Sequence, residues 1–127
     1  MEKILMNLKN KISIGGSRDY PFLDRVVEYL EKLPPDTILL TGTTTGVDQV
    51  VREEGERMGF EIWVYEPNFD YYDTPTEAYH ARNRLIIEEA DAVVSFWDGK
   101  SKGTAMAIRY AHQQGKPVEI YHSKPIS

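Results

Sequence analysis

Three short stretches combine glycine with residues that hold or move charge: "GGSRD" (15–19), "TGTTTGVD" (41–48) and "WDGKSKGT" (97–104). Each follows an apolar run and precedes a helical pattern. Such a turn presents backbone N–H groups beside a helix N-terminus, where unpaired donors and the helix dipole favour an anion such as a phosphate. One turn of this kind is common in α/β proteins, whereas three in one chain point to a phosphorylated or otherwise anionic ligand. Arg18 carries five donors in a planar fork suited to phosphate or carboxylate. From position alone it is either a ligand contact or half of a surface ion pair with Asp19 or another acid. Asp19, a short acid just before Pro21, fits a helix start. Thr45 and Asp48 have capping-box spacing, with Asp in place of Glu, and the hydroxyls of Thr43 and Thr44 lie within the loop, suited to a ribose or a phosphate.

Other chemistries lose support. No Gly-Lys-Ser/Thr follows a glycine at P-loop spacing and no GxGxxG opens the first helix, which disfavours Walker ATPases and dinucleotide dehydrogenases. The three histidines, His80, His112 and His122, lack metal-ligand spacing and a triad partner, so no metal site is expected and each reads as a surface or packing residue. With no cysteine, thiolate nucleophiles, disulfides and Cys-based zinc sites are excluded. Asp48 and Asp98 are the carboxylates left for any catalysis. The stretch "NFDYYDTPTEAYHARN" (68–83) holds Phe69, Tyr71, Tyr72 and Tyr79 in a polar connection. These rings either fold over the strand ends and stack a base or cover a sheet edge or a dimer contact.

The elements that must position these residues are legible in the apolar pattern. Five short runs, "KISIG" (11–15), "TILLTG" (37–42), "EIWVYE" (61–66), "DAVVSFW" (91–97) and "PVEIYH" (117–122), alternate with helical patterns. Several are apolar almost throughout, as strands covered on both faces would be. Leu23, Val26, Val27, Leu30 and Leu33 recur at helical spacing, as do Val47, Val50, Val51 and Met58. Gly59 and Gly115 stand where left-handed helix C-termini are expected. Thr74-Pro75-Thr76-Glu77 reads as a capped start of a helix reaching about Glu89, and a fourth helix is expected from about Thr104 to Gln114. Strand and helix in alternation predict a Rossmann-like, doubly wound α/β domain: a mainly parallel five-stranded sheet with helices on both faces, one domain over residues 1–127. Ligands of such sheets bind beyond the carboxyl ends of the strands, where the strand order reverses.

The chain has 127 residues and a net charge of -5, with a pI of about 5.2. Neutralising phosphates needs clustered Lys and Arg, so this balance argues against nucleic acid and anionic lipid as partners. "MEKILMNLKN" (1–10) is too short and too interrupted by charge for a secretory signal, and no apolar run reaches spanning length. The expectation is a soluble, cytoplasmic protein.

With "GGSRD", "TGTTTGVD", "ARNRLI" (81–86) and "DGKSKGT" in that order, residues 12 to about 121 resemble the SLOG superfamily. This Rossmann-like group includes the DprA/Smf DNA-processing proteins and the LONELY GUY phosphoribohydrolases, and the chain looks most like its small single-domain YspA-like branch. The resemblance implies ligand-site roles for Gly16, Ser17 and Arg18, for Gly42, Gly46 and Asp48, for Arg82 and Asn83, and for Gly99, Gly103 and Thr104. Two departures stand out: Thr43, Thr44 and Thr45 replace the small or basic residues usual between the glycines, and Ala107 occupies the position of the LONELY GUY glutamate. Cleaving an N-glycosidic bond needs a carboxylate to stabilise developing positive charge or to position water, which alanine cannot do.

The reading is therefore a protein that binds a nucleotide or nucleotide-derived phosphorylated ligand at the C-terminal sheet edge, as a sensor or a processing protein. Phosphate is expected at Arg18 and the glycine turns, and the base or ribose near the threonine loop and Tyr71/Tyr72. No cofactor is required, and a homo-oligomer is left open. The alternative is a nucleotide hydrolase cutting an N-glycosidic or phosphate bond, followed by single-stranded DNA binding of the DprA kind.

Overall fold

A computed structural model describes residues 10–123 of the chain, so most of the stretch weighed as a targeting signal lies outside the described residues. Strands β1 (Lys11–Gly16), β2 (Ile38–Thr41), β3 (Glu61–Val64), β4 (Ala92–Trp97) and β5 (Val118–His122) alternate with helices α1 (Leu23–Lys32), α2 (Val47–Arg57), α3 (Pro75–Glu89) and α4 (Lys102–Gln113). All strand pairs are parallel and the order is β3-β2-β1-β4-β5. The chain builds outward from β1 to β3, then crosses back to β4, so the order reverses between β1 and β4. Their carboxyl ends, Gly16 and Trp97, therefore open the crevice where ligands of such sheets sit.

Alternating strand residues feed two cores. On one face Ile14, Leu39, Val94 and Phe96 pack with Val26 and Leu30 of α1 and Val47 and Val51 of α2. On the other, Ile38 and Leu40 meet Ile86 and Ala90 at the end of α3, and Val93 meets Ile87 and Ala111. Burial on both faces explains why the strand runs read as nearly continuous apolar segments rather than alternating ones.

Local signals place most element ends. Thr74 caps α3 by accepting a hydrogen bond from the Glu77 amide at 3.1 Å, with Pro75 in the first turn. Gly59 and Gly115 take φ of 88° and 71°. Three helix starts differ from expectation. The cap of α2 is Gly46, not Thr45, and no side chain caps it. Asp48 instead turns to Thr44, accepting from its hydroxyl at 2.7 Å and its amide at 3.4 Å. Asp19 does not start α1, which begins four residues later behind Phe22. Tyr20 decides that boundary: it is 2 % exposed, packs edge-on against Phe96 at 5.5 Å, and donates its hydroxyl proton to the His122 carbonyl. Finally, α4 starts at Lys102 rather than Thr104, because Ser101 caps it.

Among the described residues no helix is long and apolar enough to cross a membrane, and no cluster of His, Asp and Glu could hold a metal ion.

Candidate functional site

The carboxyl halves of β1, β2 and β4 enclose, with one side of α3 from Thr76 to Ile87 and the first turns of α4, a cleft of about 680 Å³. That volume falls within the usual range for small-molecule sites. Of the residues singled out in the sequence, Gly16, Arg18, Asp19, Gly42, Thr44, Asp48, Tyr79, Arg82, Asn83, Asp98, Gly103 and Thr104 border it.

The floor is built around a buried carboxylate. Asp48, 6 % exposed, lies at the start of α2 beneath the glycine loops. A side chain at Gly42 would stand 2.7 Å from its Oδ2 and 2.5 Å from Nη1 of Arg82, so glycine there lets both charges come under the loop. Arg82, also 6 % exposed, donates to the Tyr65 carbonyl at 3.0 Å, to Asn83 Oδ1 at 2.8 Å and to Thr43 Oγ1 at 3.4 Å. Arg52 reaches the same loop from α2 and donates to the carbonyls of Gly42 at 2.7 Å and Thr44 at 3.1 Å. Burial pushes the Asp48 carboxyl above its ordinary value, against the opposing pull of Thr44, Arg82 and Arg52. Burial also lowers Arg82, against the pull of Asp48. Both shifts disfavour the charged forms, so this network adds little net stability. Its geometric effect is to clamp loop 42–44 from two sides.

The rim carries three exposed cations, Arg18, Lys100 and Lys102, against one exposed acid, Asp19. Arg18 is exposed, and its guanidinium sits 5.7 Å from the centre of the Tyr79 ring, whose other cationic neighbour, Arg82, is at 5.4 Å. Across the cleft Lys100 and Lys102 are exposed at the N-terminus of α4, where the dipole adds positive potential. The loop that carries them is folded around Asp98, whose Oδ1 accepts from the amides of Ser101 and Lys100, both at 2.8 Å. The Ser101 amide chiefly, with help from that of Lys100 and from the Ser17 side chain, holds Asp98 below the usual carboxylate range. Asp98 thus organises its own turn.

Other singled-out residues lie apart from the cavity. Ser17 is 1 % exposed and works beneath the surface, accepting from the Asp98 amide at 3.2 Å and lying 3.4 Å from the Thr104 hydroxyl. It ties the β1 turn to the start of α4. Thr43 is turned toward Arg82, and Gly46 lies against the Arg18 backbone with φ of 79°. Gly99 supplies a left-handed bend in the lysine loop, with φ of 80°. Tyr71 and Tyr72 pack edge-on against each other at 4.9 Å, outside the cavity, with Tyr71 77 % exposed.

The sequence assigns no role to Lys100, Lys102 or Met106 and reads His80 as a surface or packing residue, yet all four border the cleft, as does Tyr79, the one tyrosine or phenylalanine ring of the 68–83 stretch to do so. Thr76, Tyr79, His80 and Asn83 share one face of α3 at spacings of three and four, which would have revealed them once Asn83 was placed. Ala107 borders the cleft as well, so a methyl group faces it at the position where the phosphoribohydrolase resemblance expects a glutamate.

No protein-family profile and no curated protein matches the chain. Solved structures do. DNA processing protein A (DprA) from Streptococcus pneumoniae superimposes with a TM-score of 0.68 at 16 % identity, over 88 % of this chain and 50 % of its own. DNA processing protein A from Helicobacter pylori, whose structure is described for its unique mode of single-stranded DNA binding, gives 0.62 at 20 % identity, over 92 % and 67 %. The chain thus spans half the length of one neighbour and two-thirds of the other. The shared property at these identities is the Rossmann-like α/β fold. The neighbours also overturn the expectation that set nucleic acid aside: whole-chain acidity is a poor guide to one cleft, and in this fold Arg18, Lys100 and Lys102 gather on a single rim.

Proposed function

We propose that the cleft binds single-stranded DNA, taking a nucleotide unit of the strand between the β1 turn and the start of α4. The observation that carries this reading is the cation-rimmed cleft at the strand-order reversal of a sheet that superimposes on DNA processing protein A. Arg18 on one side and Lys100 and Lys102 on the other flank a gap where a phosphate would meet two sources of positive charge, one of them a helix N-terminus. Tyr79 borders the same cleft beside Arg18 and Arg82, with Phe69 edge-on at 5.3 Å, and stacking of a base on such a ring is worth about 1–3 kcal/mol with little sequence preference. The Asp48–Arg82–Arg52 clamp sets loop 42–44 but leaves the rim charges facing outward.

The concavity of the site favours a second reading, a free nucleotide or nucleotide-derived ligand, because one enclosed unit needs no extended track. No hydrolytic step is assigned. Ala107 supplies no carboxylate, and the Asp48 carboxylate is engaged by Thr44.

The test is fluorescence anisotropy of a labelled oligothymidylate with competition by unlabelled duplex and by a panel of mononucleotides. The expected outcome is single-strand binding that weakens with salt and falls at least about tenfold in Arg18→Ala. Saturable mononucleotide binding with no gain from a longer strand would favour the second reading. An Arg18→Ala variant with full affinity for every ligand would sink both.

A further inference from the structure

The cleft does not stop at its rim. A second hollow, about 190 Å³, lies in the seam between α3 and α4, and His80, Asn83, Met106 and Ala107 border both spaces. Ile87 and Gly103 border both as well, so on α3 the hollow lies alongside the cleft and on α4 it runs on past it. Beyond the shared residues it continues on α4 from Ala107 to Gln113, roughly 9 Å at 1.5 Å per residue.

The arginines on the border of this hollow, Arg84 and Arg109, one from each helix, are both exposed cations, and Met106, 41 % exposed, presents a flexible apolar side chain between the seam and the cleft. Glu88, one turn beyond Arg84 on α3, is engaged by the Tyr110 hydroxyl, which donates to its carboxylate. A polyanion leaving the cleft therefore meets two exposed cations, with the neighbouring acid already held by a hydroxyl.

We propose that the α3–α4 seam is a second segment of the single-strand interface, with Arg84 and Arg109 meeting phosphates of the strand as it leaves the cleft and Met106 lying under a base or sugar. This rests on the reading of the cleft as a single-stranded DNA site. At the spacing of stacked phosphates, about 3.4 Å, the seam holds on the order of three nucleotides.

The experiment compares a 12-mer oligothymidylate with the dinucleotide and thymidine monophosphate, across a salt series. The proteins are wild type, Arg84→Ala/Arg109→Ala, and Arg57→Ala as a control on α2, across the sheet. The double variant is expected to lose about five- to twentyfold in 12-mer affinity and about 1.4 in the slope of log affinity against log salt. Affinity for the two short ligands stays unchanged. The proposal is overturned if 12-mer affinity and slope are unchanged, if Arg57→Ala produces the same loss, or if the short ligands weaken equally. It is also overturned if the double variant changes oligomeric state by gel filtration without changing strand affinity, which would make the seam an interface between copies. Wild-type protein that binds no oligonucleotide refutes the cleft reading itself, whereas wild-type binding with an unaffected double variant refutes the seam alone.

Discussion

Gly16→Ala probes the joint on which the cleft depends. Gly16 is the last residue of β1 and lies in register with Phe96 of β4. A methyl group added there would stand 2.2 Å from the Phe96 carbonyl oxygen and 3.0 Å from Cγ2 of Val47. The first contact is with backbone of a central strand, which cannot swing aside. Restoring ordinary separation requires the ends of β1 and β4 to part by on the order of 1 Å. That movement weakens the bond from the Ser17 amide to the Phe96 carbonyl, now 3.0 Å, and leaves a buried donor short of its partner at a cost of about 1–3 kcal/mol. Overpacking against Val47 adds about 1 kcal/mol or more. The expected destabilisation is about 3 kcal/mol, a large part of the roughly 5–15 kcal/mol of a domain this size. In urea unfolding followed by circular dichroism, the midpoint should fall by about 1–2 M with an unchanged slope. Gly103→Ala is the control: nothing lies within 4 Å of its added methyl group, and in a helix alanine should raise stability by up to about 1 kcal/mol. A Gly16→Ala protein within about 0.5 kcal/mol of wild type would refute the claim that this strand contact is tight and rigid.

Ser17→Ala should cost about 1–2 kcal/mol in the same unfolding assay, because it removes the acceptor of the Asp98 amide and the neighbour of the Thr104 hydroxyl, and hydrogen exchange at the Asp98 amide should accelerate. For Asp48, a folded pKa raised by burial means the folded state holds its proton more tightly than the unfolded one, so this group's contribution is fully present below the unfolded value. It is lost as pH rises through the folded value. Stability of wild type relative to Asp48→Asn should therefore decline as pH climbs from about 4, and a relative stability that rises over that range would show the arginines winning over desolvation. Tyr79→Ala should weaken oligothymidylate binding by about 1–3 kcal/mol in the anisotropy assay, with Tyr71→Ala near wild type; the reverse ranking would return the stacking role to the outer rings.

Most of the architecture was legible in one dimension because the signals that carry it are local. Apolar runs bounded by turns gave the five strands, and the Thr74-Pro75-Glu77 pattern gave the start of α3 to the residue. Failures came where a distant contact outweighed a local preference. Thr45 and Asp48 have capping-box spacing, yet Arg82, 34 positions further along, comes under the same loop and Asp48 turns away from the helix amides. Asp19 suits a helix start, yet anchoring of Tyr20 on Phe96 and His122 delays α1 until Leu23.

By itself, then, the sequence determined the alternation of strands and helices, the parallel character of the sheet and the glycine turns at strand ends. Hydrophobic period, caps and turn residues act within a few positions of one another. Only the tertiary structure decided which turn residues border the cleft. Placing β1 between β2 and β4 buries Ser17 as a strut and leaves Arg18 at the rim. Tyr79 lies on the side of α3 that borders the cleft, while Tyr71, in the loop before α3, stays outside. Neither distinction can be read from spacing: the first depends on β1 pairing with β4, 80 positions away, and the second on how α3 packs over the strand ends.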